Sequence, residues 1–319
     1  MQKTPAQIFI DGEAGTTGLQ IRERLAGRPD LELISLDDDR RKDAGARAEA
    51  LNAADVAILC LPDDAAREAV ALVQNPDTRI IDASTAHRTA PGWAYGFAEM
   101  TPDHAAILAA SKRVTNPGCY PTGTIAMVRP LVEAGLLPAD TPVTVNAISG
   151  YSGGGRKMIE AYEAKTGPVA NPYLPYGLDF EHKHVNEMQV HGQLTHRPLF
   201  QPAVGPYRQG MIVSVPLQLW ALDTVPTGAM IHECLATRYR EARFIFVDKL
   251  AKPDALPQID PQALNGTNGL KIHVFANDNR RQAILTAVYD NLGKGASGAA
   301  VQNLNLLLGA DAGAGLQAA

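Results

Sequence analysis

The first 25 residues constrain the fold more than any other stretch. Ile8-Phe9-Ile10 is a short apolar run ending in Asp11-Gly12, and Gly12 to Gly18 spaces three glycines as GxxGxxG. From Gly15 to Leu25 the apolar residues Leu19, Ile21 and Leu25 recur at helical spacing. A strand, a glycine turn and a helix in that order form the start of a dinucleotide-binding unit. The glycines admit a pyrophosphate close to the backbone, and the helix N-terminus offers N–H groups and a positive dipole. The glycine spacing alone is weak evidence; its place between strand and helix gives it weight. Gly12, Gly15, Thr16, Thr17 and Gly18 are therefore candidate cofactor contacts.

The next hundred residues continue the pattern. Leu31–Leu36 alternates as a second strand, and Val56–Leu61 (VAILCL) is a continuous apolar run suited to a strand covered on both faces. Ala65–Val73 is helical in pattern, and Arg79–Asp82 reads as a further strand. Alternating strands and helices predict a Rossmann-type doubly wound parallel sheet. The pattern changes near Cys119. Tyr120–Glu133 reads as a helix with Pro121 in its first turn, where no hydrogen-bonded N–H is lost. Val143–Ser149, Ile212–Leu219 and Ile272–Ala276 alternate, which fits a mixed or antiparallel sheet. Ala296–Leu308 reads as a helix, and Gly309–Ala319 as a frayed tail. The fold class expected is α/β, with a nucleotide-binding domain over 1–118 and an α+β domain over 119–293.

A chain of 319 residues is long for one core and comfortable for two. The net charge of −5, without a basic face, argues against a nucleic-acid partner. Three scattered cysteines, Cys60, Cys119 and Cys234, do not suit a disulfide framework or a zinc site. The N-terminal residues lack a signal-peptide pattern, and no run of about 18 apolar residues predicts a membrane span. These features lead to the expectation of a reduced, cytoplasmic protein with no membrane partner and no metal.

Asn116-Pro117-Gly118-Cys119-Tyr120-Pro121 places Cys119 in a Pro/Gly-braced turn at a helix start. The dipole and N–H groups there favour the thiolate, the nucleophilic form. Cys60 and Cys234 sit in patterns of ordinary packing. A nucleophilic thiol beside a nicotinamide site suggests a definite chemistry: displacement of phosphate from an acyl phosphate, reduction of the thioester and release of an aldehyde. That chemistry needs a proton-transfer residue. His182-Lys183-His184 is the only histidine pair at two-residue spacing; His184 is the candidate base and His182 the alternate or a substrate contact. Ser84 and Arg88 follow the strand at Ile80, on the sheet edge where ligands bind, and Arg88 suits a phosphate. Ser152 and Arg156 belong to a second glycine-rich turn that could close over an anionic substrate or the nicotinamide, and Asn116 to the cysteine turn. For the ribose, Asp37 would hold a 2′-hydroxyl, whereas the basic cluster Arg40, Arg41 and Lys42, after Asp38 and Asp39, would hold a 2′-phosphate. The residues alone leave both open.

The motifs GEAGTTG, ASTAHRT, NPGCYPTG, SGYSGGGRKMIEAYE, HKHVNEM and NLGKGASGAAVQN together resemble the N-acetyl-gamma-glutamyl-phosphate reductases of arginine biosynthesis, in their shorter form. The resemblance covers nearly the whole chain. It implies a semialdehyde dehydrogenase-like fold, with a C-terminal helix (294–319) completing the nucleotide domain and an oligomerising second domain. It implies NADP(H) as cofactor, which favours the Arg40 and Arg41 reading. It implies reversible reduction of an N-acetylglutamyl 5-phosphate to its semialdehyde and phosphate. Carried over, the nucleophile is Cys119, the base His184, the other histidine His182, and a substrate tyrosine Tyr176; Asn291 and Gly295 join the cofactor contacts. Asn186 stands where the family commonly has Pro. A homo-oligomer, dimer or tetramer, is expected. The rivals are an aspartate-semialdehyde dehydrogenase, an aminoadipyl-phosphate reductase of the lysine pathway, and a non-catalytic NADP-binding sensor.

Overall fold

A computed structural model describes residues 4–37, 39–164, 171–252 and 256–318. The chain divides into two compact units: residues up to Pro117 with Ala296–Leu316, and Gly118–Gly295 with the last residues. In the first, β1 (Ala6–Asp11), α1 (Thr16–Leu25), β2 (Leu31–Ile34), α2 (Ala44–Ala53), β3 (Val56–Leu59), α3 (Asp63–Leu72), β4 (Arg79–Asp82), β5 (Ala94–Tyr95), α4 (His104–Ala110) and β6 (Arg113–Thr115) follow one another. Their six strands form one sheet in the order β2-β1-β3-β4-β6-β5, every pair parallel.

The apolar runs explain this sheet. Side chains alternate across it, so Ile8, Ile10 and Ile58 join one core while Phe9, Ala57 and Leu59 join another on the opposite face. The first core also takes Ile21 and Leu25 from α1, and Val301, Leu304 and Leu307 from the C-terminal helix Gly298–Leu307. Both faces are covered, so the strands have no polar side, and each fully buried Ile or Leu contributes about 1.5–3 kcal/mol. The VAILCL run leaves the sheet at Cys60, two residues earlier than its composition suggests, because Pro62 caps the following helix. The two-residue β5 and three-residue β6 have no periodicity to read.

The second unit begins with α5 (Cys119–Glu133) and continues through β7 (Thr144–Gly150), a 3-10 turn (Tyr151–Gly154), α6 (Gly155–Glu163), β8 (Leu174–Pro175), α7 (Val185–His191), β9 (Leu199–Gly205), β10 (Met211–Leu217), α8 (Gly228–Arg238), β11 (Ile245–Val247), β12 (Leu270–Asn277) and β13 (Gln282–Tyr289). Seven strands form a mixed sheet, β11-β12-β13-β10-β7-β9-β8. β10 runs antiparallel to both β13 and β7, whereas β7 and β9 are parallel. Helix α5 lies against β10, β13, α7 and α8, buried along most of its length. Pro130 inside it removes one helical N–H. The carbonyl of Ala126, left without that partner, accepts the Tyr239 hydroxyl at 2.8 Å.

One expectation is corrected. The C-terminal residues, apart from Ala319, which lies outside the described residues, are not a frayed tail. Arg28 donates through Nη1 to Asn305 Oδ1 and to the Ala314 carbonyl. The fully buried Asn305 donates to the carbonyls of Ala312 and Ala314, and Leu316 packs on the first core. Side chains far away in sequence fix this segment, and its own composition carries no sign of them.

Candidate functional site

In the first unit the glycine turn closes tightly on itself. Gly12 has φ +88°, and a Cβ there would lie 2.4 Å from the Cys60 carbonyl oxygen at the end of the neighbouring strand. A Cβ at Gly18 would lie 2.6 Å from the Gly12 oxygen. Gly15 donates to the Gly12 carbonyl at 3.0 Å and stands at the N-cap of α1 without a side chain to cap it. Thr16, Thr17 and Gly18 form the first turn of that helix, the arrangement that holds a pyrophosphate. Glu13, inside the turn, pairs with Arg22 and with Arg41, each at 2.9 Å. Arg41 is thereby drawn to the rim of the turn, while Arg40 pairs with Glu49 at 3.4 Å in solvent. Asp38 lies outside the described residues. The cradle and the guanidinium beside it fit a dinucleotide.

At the end of β4, the fully buried Asp82 gathers its own loop. Its carboxylate accepts from the Ser84 N–H and hydroxyl and pairs with His87 at 2.6 Å. Arg88 is buried and donates to the Ala83 carbonyl at 3.0 Å. Asn116 is buried too: its amide donates to the Ala296 carbonyl at 2.8 Å and its oxygen accepts from Asn303. The atoms expected to meet substrate therefore tie down the C-terminal helix.

In the second unit Cys119 is the first residue of α5, with Gly118 at the N-cap. Both flanks of this turn are held by side chains. Gly118 donates its N–H to the buried carboxylate of Glu187 at 2.9 Å. The Cys119 carbonyl accepts the Tyr289 hydroxyl at 2.6 Å, and the same hydroxyl accepts the Gly123 N–H at 3.1 Å. Gly295 approaches from another side, where a Cβ would lie 3.0 Å from the Cys119 Cβ.

Tyr120 connects the cysteine turn to the histidines. Its ring centroid lies 5.9 Å from His184 and 6.2 Å from His182, and the two imidazoles are 4.7 Å apart. Tyr176 donates its hydroxyl to the Tyr120 oxygen at 3.0 Å and faces His182 at 5.6 Å. The structure thus brings Tyr176, His182 and His184 together around the residue that follows Cys119. His184 caps α7, and Glu187 lies one turn along the same helix. Burial pulls the His182 imidazole down to about 4, with Lys183 adding to the effect. The His184 N–H donates to His182 Nδ1, so neutral His182 carries its proton on Nε2. Burial also raises the phenols of Tyr120 and Tyr176, which stay protonated donors. A thiol at one helix start and a histidine at the N-terminal end of a packed neighbouring helix are residue types suited to nucleophile and acid/base work.

Other expected residues lie differently. Ser152 and Asn291 are buried partners: the Asn291 amide donates to the Ser152 oxygen at 3.0 Å, and its own oxygen accepts from Gly210 at 2.7 Å. Arg156 lies on the exposed face of α6, paired with Glu160 one turn on. Among the described residues no group of three or more His, Cys, Asp or Glu is placed to hold a metal. None of their helices is long and apolar enough to cross a membrane. Tyr120 follows Cys119 directly and Glu187 lies three residues after His184, so both carry a sequence signal; Tyr289 carries none.

The chain is similar to known proteins over nearly all of its length. Residues 7–108 match the family described as semialdehyde dehydrogenase, NAD binding domain, and residues 119–291 that described as semialdehyde dehydrogenase, dimerisation domain. A protein of Mesorhizobium japonicum named N-acetyl-gamma-glutamyl-phosphate reductase is 61% identical over 305 residues, covering 95% of this chain and 99% of that one. One of the same name from Burkholderia lata is 58% identical over 303 residues, covering 95% and 96%. Among solved structures, aspartate semialdehyde dehydrogenase II of Vibrio cholerae superposes with a TM-score of 0.74 at 16% identity, covering 96% of this chain and 99% of that one. At that identity the likeness is one of fold.

Proposed function

We propose a reaction for this chain from one premise: it belongs to the semialdehyde dehydrogenases and, within them, to the N-acetyl-gamma-glutamyl-phosphate reductases. The reaction is the reversible, NADPH-dependent conversion of N-acetyl-L-glutamyl 5-phosphate to the 5-semialdehyde and phosphate. The observation that carries it is the placement of Cys119 at the head of α5, with Tyr120 packed on His182 and His184. Cys119 Sγ attacks the acyl carbon, the S–C bond forms, and the C–O bond to phosphate breaks, leaving a thioester. NADPH, when bound, supplies the hydride that reduces this acyl group. His184 takes the thiol proton on attack and returns a proton as the thiohemiacetal collapses to aldehyde and thiol. His182, neutral by burial, orients His184 by accepting its backbone N–H.

The cofactor fits the turn of Gly12, Gly15 and Gly18 by the closeness of backbone to backbone there. Arg41, at its rim, is the residue proposed to meet a 2′-phosphate. The match to a dimerisation domain supports a homo-oligomer.

The test runs in reverse, with NADP and phosphate, comparing N-acetylglutamate semialdehyde with aspartate semialdehyde. A clear preference for the N-acetylated substrate is expected; a preference for aspartate semialdehyde would overturn the assignment. Cys119→Ser is expected to abolish turnover while leaving NADP affinity nearly intact.

A further inference from the structure

We infer that Tyr289 is a positioning residue for Cys119, its hydroxyl wedged into the first turn of α5 so that the thiol is presented at one fixed angle. The inference rests on the proposed role of Cys119 as nucleophile. Three observations carry it. The Tyr289 hydroxyl donates to the Cys119 carbonyl at 2.6 Å and accepts from the Gly123 N–H at 3.1 Å. Those two groups are the i and i+4 partners that would otherwise bond only to each other. Position 123 is glycine, where a Cβ would lie 2.7 Å from the Tyr289 oxygen and 2.8 Å from its ring. An ordinary helix former there would expel the wedge. Finally, Tyr289 is itself anchored in the sheet. It is the last residue of β13, pairs with Met211 on one side and Leu270 on the other, and is fully buried.

The following segment completes the hold. Gly295 donates to the Asp290 carbonyl at 3.0 Å, and its missing side chain leaves room for Cys119. Residues 289–295 therefore grip the cysteine from two directions, a hydroxyl at one end and a glycine at the other. Burial keeps the Tyr289 phenol well above the usual tyrosine range, so it remains a neutral donor at working pH. Without the hydroxyl, the Cys119 carbonyl and Gly123 N–H each lose a partner fixed to the sheet. The first turn is then free to shift, and the Cα–Cβ bond of Cys119 shifts with it. Displacements of about 1 Å cost up to a hundredfold in rate when a nucleophile must meet its carbon in line.

Tyr289→Phe, Gly123→Ala and the double variant of the full chain test this. The readouts are kcat and KM for N-acetylglutamate semialdehyde, the pH profile of Cys119 alkylation by iodoacetamide, and Tm. Both single variants are expected to lower kcat by about ten- to a hundredfold, with KM little changed and the alkylation profile altered. The double variant should be no worse than the poorer single, because both break one contact. A folded Tyr289→Phe with wild-type kcat and alkylation profile overturns the proposal, as does a fall in Tm alone. If Tyr289→Phe does not fold, wild-type kcat in Gly123→Ala overturns it. Turnover retained by Cys119→Ser would instead sink the nucleophile reading, and alkylation of Cys119 would still report whether Tyr289 holds it.

Discussion

His182 and His184 lie two residues apart, and burial sets the proton chemistry of the first. The His182 imidazole, buried and accepting a backbone N–H, stays neutral down to about pH 4. An NMR titration should show one histidine protonating near that value, and His182→Gln should remove it. The same residue links stability to pH. The unfolded chain takes up its proton near 6.5 and the folded one only near 4, so acid favours unfolding progressively between those values. His182→Gln should flatten the fall in Tm across that window; an unchanged slope would show that His182 does not drive it. For His184, Ala is expected to cost about a hundredfold or more in kcat, and an unchanged rate would remove it from the mechanism. Among the thiols, burial pushes Cys60 up to about 12 and raises Cys234. Iodoacetamide near pH 8 should therefore label Cys119 first, as read by peptide mass spectrometry. The position of Cys119 at a helix start was legible in its Pro/Gly neighbours. Its supports were not, because Glu187 and Tyr289 lie 69 and 170 residues from their partners in the turn.

The elements divide the same way. Runs buried on both faces, such as that at Val56, and alternating runs, such as that at Val143, mark two kinds of sheet in the sequence itself. β5, β6 and β8 did not, since two or three residues show no period and are fixed by their neighbours alone. The glycine turn shows what spacing can and cannot convey. It marks the turn, but only the fold reveals that Gly18 packs on Gly12. Gly18→Ala should force the turn open, costing about 1–3 kcal/mol on chemical denaturation and weakening NADP binding in a fluorescence titration. Wild-type affinity in that variant would deny the turn its proposed role. Asn116, Ser152 and Asn291 show what motifs leave out: each of these polar residues also hydrogen-bonds to the scaffold.

At the scale of the molecule, a parallel sheet and a mixed sheet are each built around their own core, and the parallel one is not contiguous in sequence. Its first core needs Val301, Leu304 and Leu307 as well as the strands laid down before Pro117. A fragment ending at Pro117 should therefore show no cooperative thermal transition, and adding the 296–316 segment as a peptide should restore one, both followed by circular dichroism. The order of synthesis runs against the order of completion. As the chain leaves the ribosome, the strands of the first unit emerge early but wait, with one face of their sheet uncovered, until residues 296–316 follow. The second unit, nearly continuous from Gly118 to Gly295, has all but its final few residues before then. The nascent nucleotide-binding half is thus the part that most needs shelter from aggregation until residues 296–316 join it.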